Sequence, residues 1–494
     1  MGRHVDEQVR GGRRKGRKTA GRVDPPPPAV DLVEPESGDA PDDAPGQRLY
    51  DMPFSSVAPR LIKPELGLHN LVARAGHNAA YEIDVTLLDA PDHRLIRSGV
   101  QLAHRVLDGR GEWFLTAPDW QPLLPKDRIE LMGHADLPEE LASLVRPLRR
   151  RATLGPVAAL RCERREFALR DDSGATLALL RDEKVTVRRG GLATARYREV
   201  TLTPVGPGLT DEQRAFVDRA FAGVGANRVP QLPRLVARLG APATGPSDVP
   251  EPEPYDGAAS LRRFVSTVLA RRLRAVVESD LAVNGGDEAA GLRLGLEAAG
   301  LRAELVGLGS ALEVEWAEDL VEDLDWLVEA AASPRVVDRL RTERYLSALE
   351  RLVAAVRAPR LTVEASTPAS EALADLLQRE TAGLRAVADP LTADSGPGLW
   401  AEARRRLGRL HQLAALAEPV LPAAAEMLRV LRKARKAMDA VAAEAERVPP
   451  ELAGLDAGQA FAAGRAHERA VQADRQAREA FVERWAKTTR KLDR

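Results

Sequence analysis

A chain of 494 residues exceeds what one ordinary core organises, so two or three domains are expected. Apolar residues at 44% and charged residues at 29% describe an ordinary folded mixture, and a formal net charge of −1 excludes a molecule that binds polyanions over its whole surface; such a site has to come from local clustering. Cys162 is the single cysteine, which excludes an intramolecular disulfide and a Cys-based zinc site and fits a reducing compartment.

Residues 1–48 read as a disordered tail of split charge. Arg10, Arg13, Arg14, Lys15, Arg17, Lys18 and Arg22 come first, and the stretch DPPPPAVDLVEPESGDAPDDAPG then carries only acidic charge and too few apolar groups to offset the entropy of ordering. The basic half is the one weak suggestion of nucleic acid, and could equally touch anionic lipid or polyphosphate, set against a solvated tail folding back on its acidic half. It has no apolar core of the secretory kind, and no run approaches the roughly 18 apolar residues of a membrane span, so a cytoplasmic protein is expected.

Residues 51–240 have a β texture. EIDVTLL, GVQLAHRVL, EWFLTA, RIELMG, VAALRCERREFAL, ATLALLRDEKVTVRR and REVTLTPV are short alternating runs separated by DGRG, DDSG and RRGG turn signals. Helices are expected at LPEELASLVRPL and at TDEQRAFVDRAFAGVG, whose Thr-Asp-Glu start suits a helix N-terminus. Strands so connected predict an antiparallel sheet that curls or closes. Residues 241–257 form a Pro/Gly-rich linker, and from 258 to 494 the period changes to 3.6, with apolar groups at i, i+3, i+4 and i+7 in six segments. The fold class is therefore an α+β multidomain chain: an antiparallel β-barrel or tunnel, then an all-α helical bundle.

Several strings resemble known families. LLDAPDHRLIRSGVQL, Trp113 in EWFLTAP, LRCERREFAL, Arg198-Glu199 in YREVTLT and LPRLVARLG resemble, in order and spacing, the triphosphate-tunnel domain called CYTH, over about residues 50–240. The helical half is similar to the CHAD domain: GLRAELVGLGSALEVEWAEDLVEDLDWL stands at its basic first motif, GLWAEARRRLGRLHQLAALAEPVL at its second, and FAAGRAHERAVQADRQAREAFVERW at its closing helix. The histidines that name CHAD are absent, with Leu292 and Trp400 where they would fall.

The CYTH resemblance implies a tunnel whose inward side chains hold a triphosphate and Mg²⁺ or Mn²⁺. Phosphoryl transfer to water needs cations to neutralise the polyanion and carboxylates to hold the metal. The family's Glu-x-Glu-x-Lys first strand corresponds best to PRLIK, Pro59 to Lys63, which keeps the lysine and neither acid. Late in the chain Glu199 is the one remaining candidate metal ligand, followed by Thr201 and Thr203. Ala103, Thr116 and Glu163 stand where further basic residues are usual, which leaves Lys63, Arg105, Arg128, Arg161, Arg198 and Arg234 as phosphate-binding candidates.

CHAD-type helices imply polyphosphate binding along a basic face. The first motif keeps Arg293 and Arg302; the second carries Arg404, Arg405, Arg406 and Arg409; and Arg429, Arg432, Lys433 and Lys436 make one stripe, flanked by Arg435. The alternative for that stripe is a solvated face opposite Leu428, Leu431, Ala434, Met438 and Val441. Asp89 and Asp92 read as a backbone-capping turn before an acid/base pair. The expected function is a catalytically degenerate CYTH/CHAD-type protein that binds polyphosphate, another polyanion or a protein partner. The alternatives are a Mg- or Mn-dependent inorganic triphosphatase and a purely structural helical scaffold.

Overall fold

The computed structural model describes residues 47–74, 80–107, 109–125, 127–131, 136–441 and 455–492. Residues 1–46 of the expected tail lie outside them, while Arg48 already belongs to a strand. Ten strands form one antiparallel sheet: β1 (Arg48–Met52), β2 (Asn70–Ala73), β3 (Ala80–Asp89), β4 (Gln101–Leu107), β5 (Arg110–Thr116), β6 (Asp127–Leu131), β7 (Gly155–Arg170), β8 (Thr176–Arg189), β9 (Leu192–Pro204) and β10 (Asn227–Val229). Their order is β10-β1-β9-β8-β7-β3-β4-β5-β6, with β2 pairing to β7 off that path. Strands β9 and β5 are five steps apart in this order, about 24 Å in a flat sheet at roughly 4.8 Å per step. Yet Tyr197 and Phe114 share one apolar cluster, so the sheet curls around an inner face. Among the described residues no ladder joins β6 to β10, and the curl has two ends.

The segment PRLIK is not the first strand. Lys63 makes only an isolated bridge to Leu68, and a 3-10 turn follows at Pro64–Leu66. Pro59, which opens the run, and Pro64, which follows it, lack the N–H that a ladder needs. The strand in that role is β1, RLYDM, seated between β10 and β9.

The turn after β3 is a capping device. Asp89, fully buried, accepts from the backbone N–H groups of Ala90, Leu95 and Ile96 at 2.6, 3.0 and 2.9 Å. It thereby satisfies the free donors at the start of α1 (Arg94–Arg97). The short helices α2 (Glu139–Leu144) and α3 (Arg146–Arg149) precede β7, and α4 (Asp211–Ala222) and α5 (Leu235–Leu239) flank β10. Helix α4 opens with a capping box between Thr210 and Gln213 and packs Val217 and Phe221 on the outer face, where Phe221 stacks on Tyr50 at 3.9 Å.

The helical half comprises α6 (Leu261–Asn284), α7 (Ala290–Leu308), α8 (Val314–Ala331), α9 (Val336–Leu340), α10 (Glu343–Arg357), α11 (Ala369–Ala388), α12 (Pro397–Ala417), α13 (Pro422–Asp439) and α14 (Ala457–Leu492). The longer helices bury stripes set by the 3.6 period, as Leu428, Leu431, Ala434 and Met438 do on α13. No helix of the described residues is long and apolar enough to cross a membrane.

Sheet and bundle share a core: one apolar cluster runs from Leu102, Trp113 and Trp120 to Phe264, Leu273 and Leu373. The Pro/Gly-rich segment 241–257 is anchored along its length, with Ala243 in the inner-face cluster, Val249 in the shared one and Asp248 buried.

Candidate functional site

Side chains alternate across a strand, so register decides what the inner face presents. Pairing places Tyr81, Arg164, Glu183, Glu199 and Asp51 in one transverse row across β3, β7, β8, β9 and β1. The next row, Ile83, Cys162, Val185 and Tyr197, is apolar and buried, and beyond it Val85, Leu160 and Val187 lie beside the Arg105–Glu112 pair. Helix α5 fills the concavity, pressing Leu235, Val236 and Leu239 into this cluster.

The arginines of the inner face are engaged. Arg164 pairs with Glu183 at 2.5 Å, and Arg238 reaches from α5 to Asp51 and Glu199, both at 2.9 Å. Arg105, nearly fully buried, pairs with Glu112, Arg181 with Glu166 at 3.5 Å, and Arg189 donates to the Leu239 and Ala241 carbonyls. A triphosphate would have to displace these carboxylates, and α5, before meeting free positive charge. Burial raises the Glu199 carboxyl above its ordinary value against the opposing pull of Arg238, and burial also pushes the Cys162 thiol up, which leaves no thiolate nucleophile.

The donor set does not fit Mg²⁺ or Mn²⁺. Glu199 is tied to a guanidinium, and among the described residues no group of three potential metal-ligating side chains converges. Such ions take several oxygen ligands at short range.

Of the six sequence-derived cations, Arg105 alone has a described side chain on the inner face. Lys63 lies over the Phe216 ring at 5.2 Å beside α4. Arg161 is half exposed on the opposite face and pairs with Glu82. Arg198, also opposite, donates to Asp182 at 2.7 and 2.6 Å and to the Ser56 carbonyl at 2.7 Å. Arg234 is exposed at the start of α5. Arg128 pairs with Leu115 through its backbone, and its side chain lies outside the described residues. The inner-face groups that sequence reasoning missed, Asp51, Arg164 and Glu183 of the row and Arg238 of α5, had one usable signal: Arg164 shares the parity of buried Cys162 in LRCERREFAL.

In the helical half most of the expected basic face is likewise occupied. Arg302 pairs with Asp325 at 2.5 Å, Arg405 with Glu402 at 2.6 Å and Arg409 with Glu380 at 4.0 Å, while Arg404 donates to the Val441 carbonyl. Arg429 pairs with Glu426, and Arg435 contacts His411 Nδ1 at 3.2 Å. Arg432, Lys433 and Lys436 are exposed and have no ion pair among the described residues. Trp400, at a position where a CHAD histidine would fall, is core: it is 3% exposed and meets Phe481 edge-on at 5.5 Å.

No family model matches the chain, and no curated protein matches it significantly. Solved structures that resemble it include PptA from Streptomyces chartreusis, 18% identical with a TM-score of 0.30, covering 46% of this chain and 99% of that one. HpAC1 from Hippeastrum, an assigned adenylyl cyclase described with a dominant triphosphatase activity, is 12% identical with a TM-score of 0.21, covering 40% and 98%. A protein assigned as an adenylate cyclase from Bacillus halodurans is 12% identical with a TM-score of 0.20, covering 34% and 93%. At such scores the likeness carries no argument, and the architecture rests on the strand order and register described above.

Proposed function

We propose that this protein binds an extended polyanion, inorganic polyphosphate first among them, through its helical half, without hydrolysing it. On this reading it is a CYTH/CHAD-type pseudoenzyme whose sheet has become a structural and interaction module. One observation carries the reading: the partition of positive charge. The inner-face arginines are held by carboxylates and by α5, whereas Arg432, Lys433 and Lys436 stand exposed on α13 with no ion pair among the described residues. Cations already neutralised gain little from a polyanion; free ones release counterions and bind it with strong salt dependence.

The test is titration of the full chain with long-chain polyphosphate at several ionic strengths. Binding should weaken steeply with salt and with Arg432→Ala/Lys433→Ala/Lys436→Ala, and tripolyphosphate should remain intact with Mg²⁺ or Mn²⁺. Metal-dependent hydrolysis that disappears in Glu199→Gln would overturn the proposal in favour of a triphosphatase. Absence of any binding at low ionic strength would leave only the scaffold.

A further inference from the structure

Sequence spacing drew attention to α12 and α13, but the converging cations lie between α13 and α14. Arg429 and Lys433 occupy i and i+4 on α13, and Arg484, Lys487 and Lys491 occupy i, i+3 and i+7 on α14, so each set shares one helix face. The two faces oppose each other across a cleft of about 50 Å³. Beneath it Phe481 and Trp485 are buried and hold α14 in place, with Trp485 Nε1 donating to Asp389 at 2.8 Å. The rest of the lining is Glu426, Val430 and Thr488.

We infer that this α13–α14 cleft is the anion site of the protein and that it takes a phosphoryl group of an inorganic phosphate chain rather than a nucleotide or nucleic acid. The inference rests on the polyanion reading above and specifies where and what. Five cations line the cleft against one carboxylate. Lys433, Arg484 and Lys491 have no ion pair among the described residues, and the two that do are surface pairs: Arg429 with Glu426, and Lys487 with Glu483 at 2.6 Å. Solvent-exposed pairs are weak, so a multivalent oxyanion exchanges for them at little cost. The volume holds a few waters at roughly 10–15 Å³ each, room for one phosphoryl group. No aromatic side chain lines the cleft, so the stacking that holds single-stranded nucleic acid has no platform.

The experiment compares tripolyphosphate, long-chain polyphosphate and a single-stranded oligonucleotide of equal charge, titrated into the full chain at low and moderate salt. Arg484→Ala/Lys491→Ala should weaken polyphosphate binding about tenfold or more and reduce the slope of log affinity against log salt by about 2, since each phosphate contact contributes about 1. Arg484→Lys/Lys491→Arg should restore both, and Arg335→Ala, an exposed cation far along the chain, should change neither. If polyphosphate binds but only Arg432→Ala/Lys436→Ala weakens it, the cleft assignment fails and the polyanion reading stands. If nothing binds at low salt, the reading itself fails. Equal or tighter binding of the oligonucleotide overturns the ligand class.

Discussion

Asp248 lies in the Pro/Gly-rich segment between sheet and bundle, 2% exposed, and takes ion pairs from Arg97 on α1 at 2.8 Å, from Arg150 just after α3, and from Arg357 at the end of α10. Glu350, on α10, adds ion pairs to Arg94 at 3.1 Å and to Arg150 at 3.2 Å. One carboxylate thus ties the sheet, the connecting segment and the bundle together. Asp248→Asn keeps the volume and removes the charge, which leaves Arg150 and Arg97, with side chains 2% and 10% exposed, facing each other without their shared anion. Breaking a buried pair in this way costs about 3–5 kcal/mol. Glu350, 36% exposed, recovers part of that. At roughly 2–4 °C per kcal/mol for domains of this size, the apparent Tm should fall by about 10 °C. Arg357→Met touches the same carboxylate, but its side chain is 50% exposed, so it should cost no more than about 1 kcal/mol. Thermal melts followed by circular dichroism, with limited proteolysis of residues 241–257, measure both. The reasoning is refuted if Asp248→Asn melts within about 2 °C of the parent, or if Arg357→Met is the more damaging change.

Arg105→Met should destabilise the sheet by about 3–5 kcal/mol because it strands Glu112, whereas Arg105→Met/Glu112→Leu should recover most of the loss; urea unfolding tests this, and polyphosphate affinity should be unaffected in both. Leu239→Ala, which empties part of the inner-face packing, should cost about 2–5 kcal/mol by the same assay without creating tripolyphosphate hydrolysis. Burial raises the Asp280 carboxyl from 3.8 to about 7 while Tyr345 and Asn284 donate to it. The folded state therefore keeps a proton that the unfolded chain releases, so this group's contribution is full below about pH 4 and is lost as pH rises through about 7. Relative to Asp280→Asn, the parent should lose Tm between pH 5 and pH 8; parallel profiles would contradict that.

The succession of an alternating β region and a 3.6-periodic helical region was legible because both periods are local properties of the chain. So was the turn at Asp89, where an Asp-Ala-Pro-Asp string has few ways to satisfy its own backbone. The helical segment containing Trp485 also announced its buried stripe through spacing alone.

What tertiary structure decided was which face each strand turns inward and which charges meet. Parity within LRCERREFAL puts Arg164 on the face of Cys162 and Arg161 on the other; that the Cys162 face is the concavity follows only from the pairing of β7 with β3 and β8. PRLIK kept a lysine at the expected spacing, yet the prolines that bracket it, Pro59 and Pro64, kept it out of the ladder and β1 took its place. Asp248 looked like one acid in a linker, and its partners lie 151, 98 and 109 residues away along the chain. The same holds for the cleft: Lys433 stood out on α13, but Arg484 and Lys491 became its neighbours only when α14 packed alongside. A sequence sets the period of each face; the free energy of an ion pair depends on a distance and a dielectric that exist only once distant segments are packed.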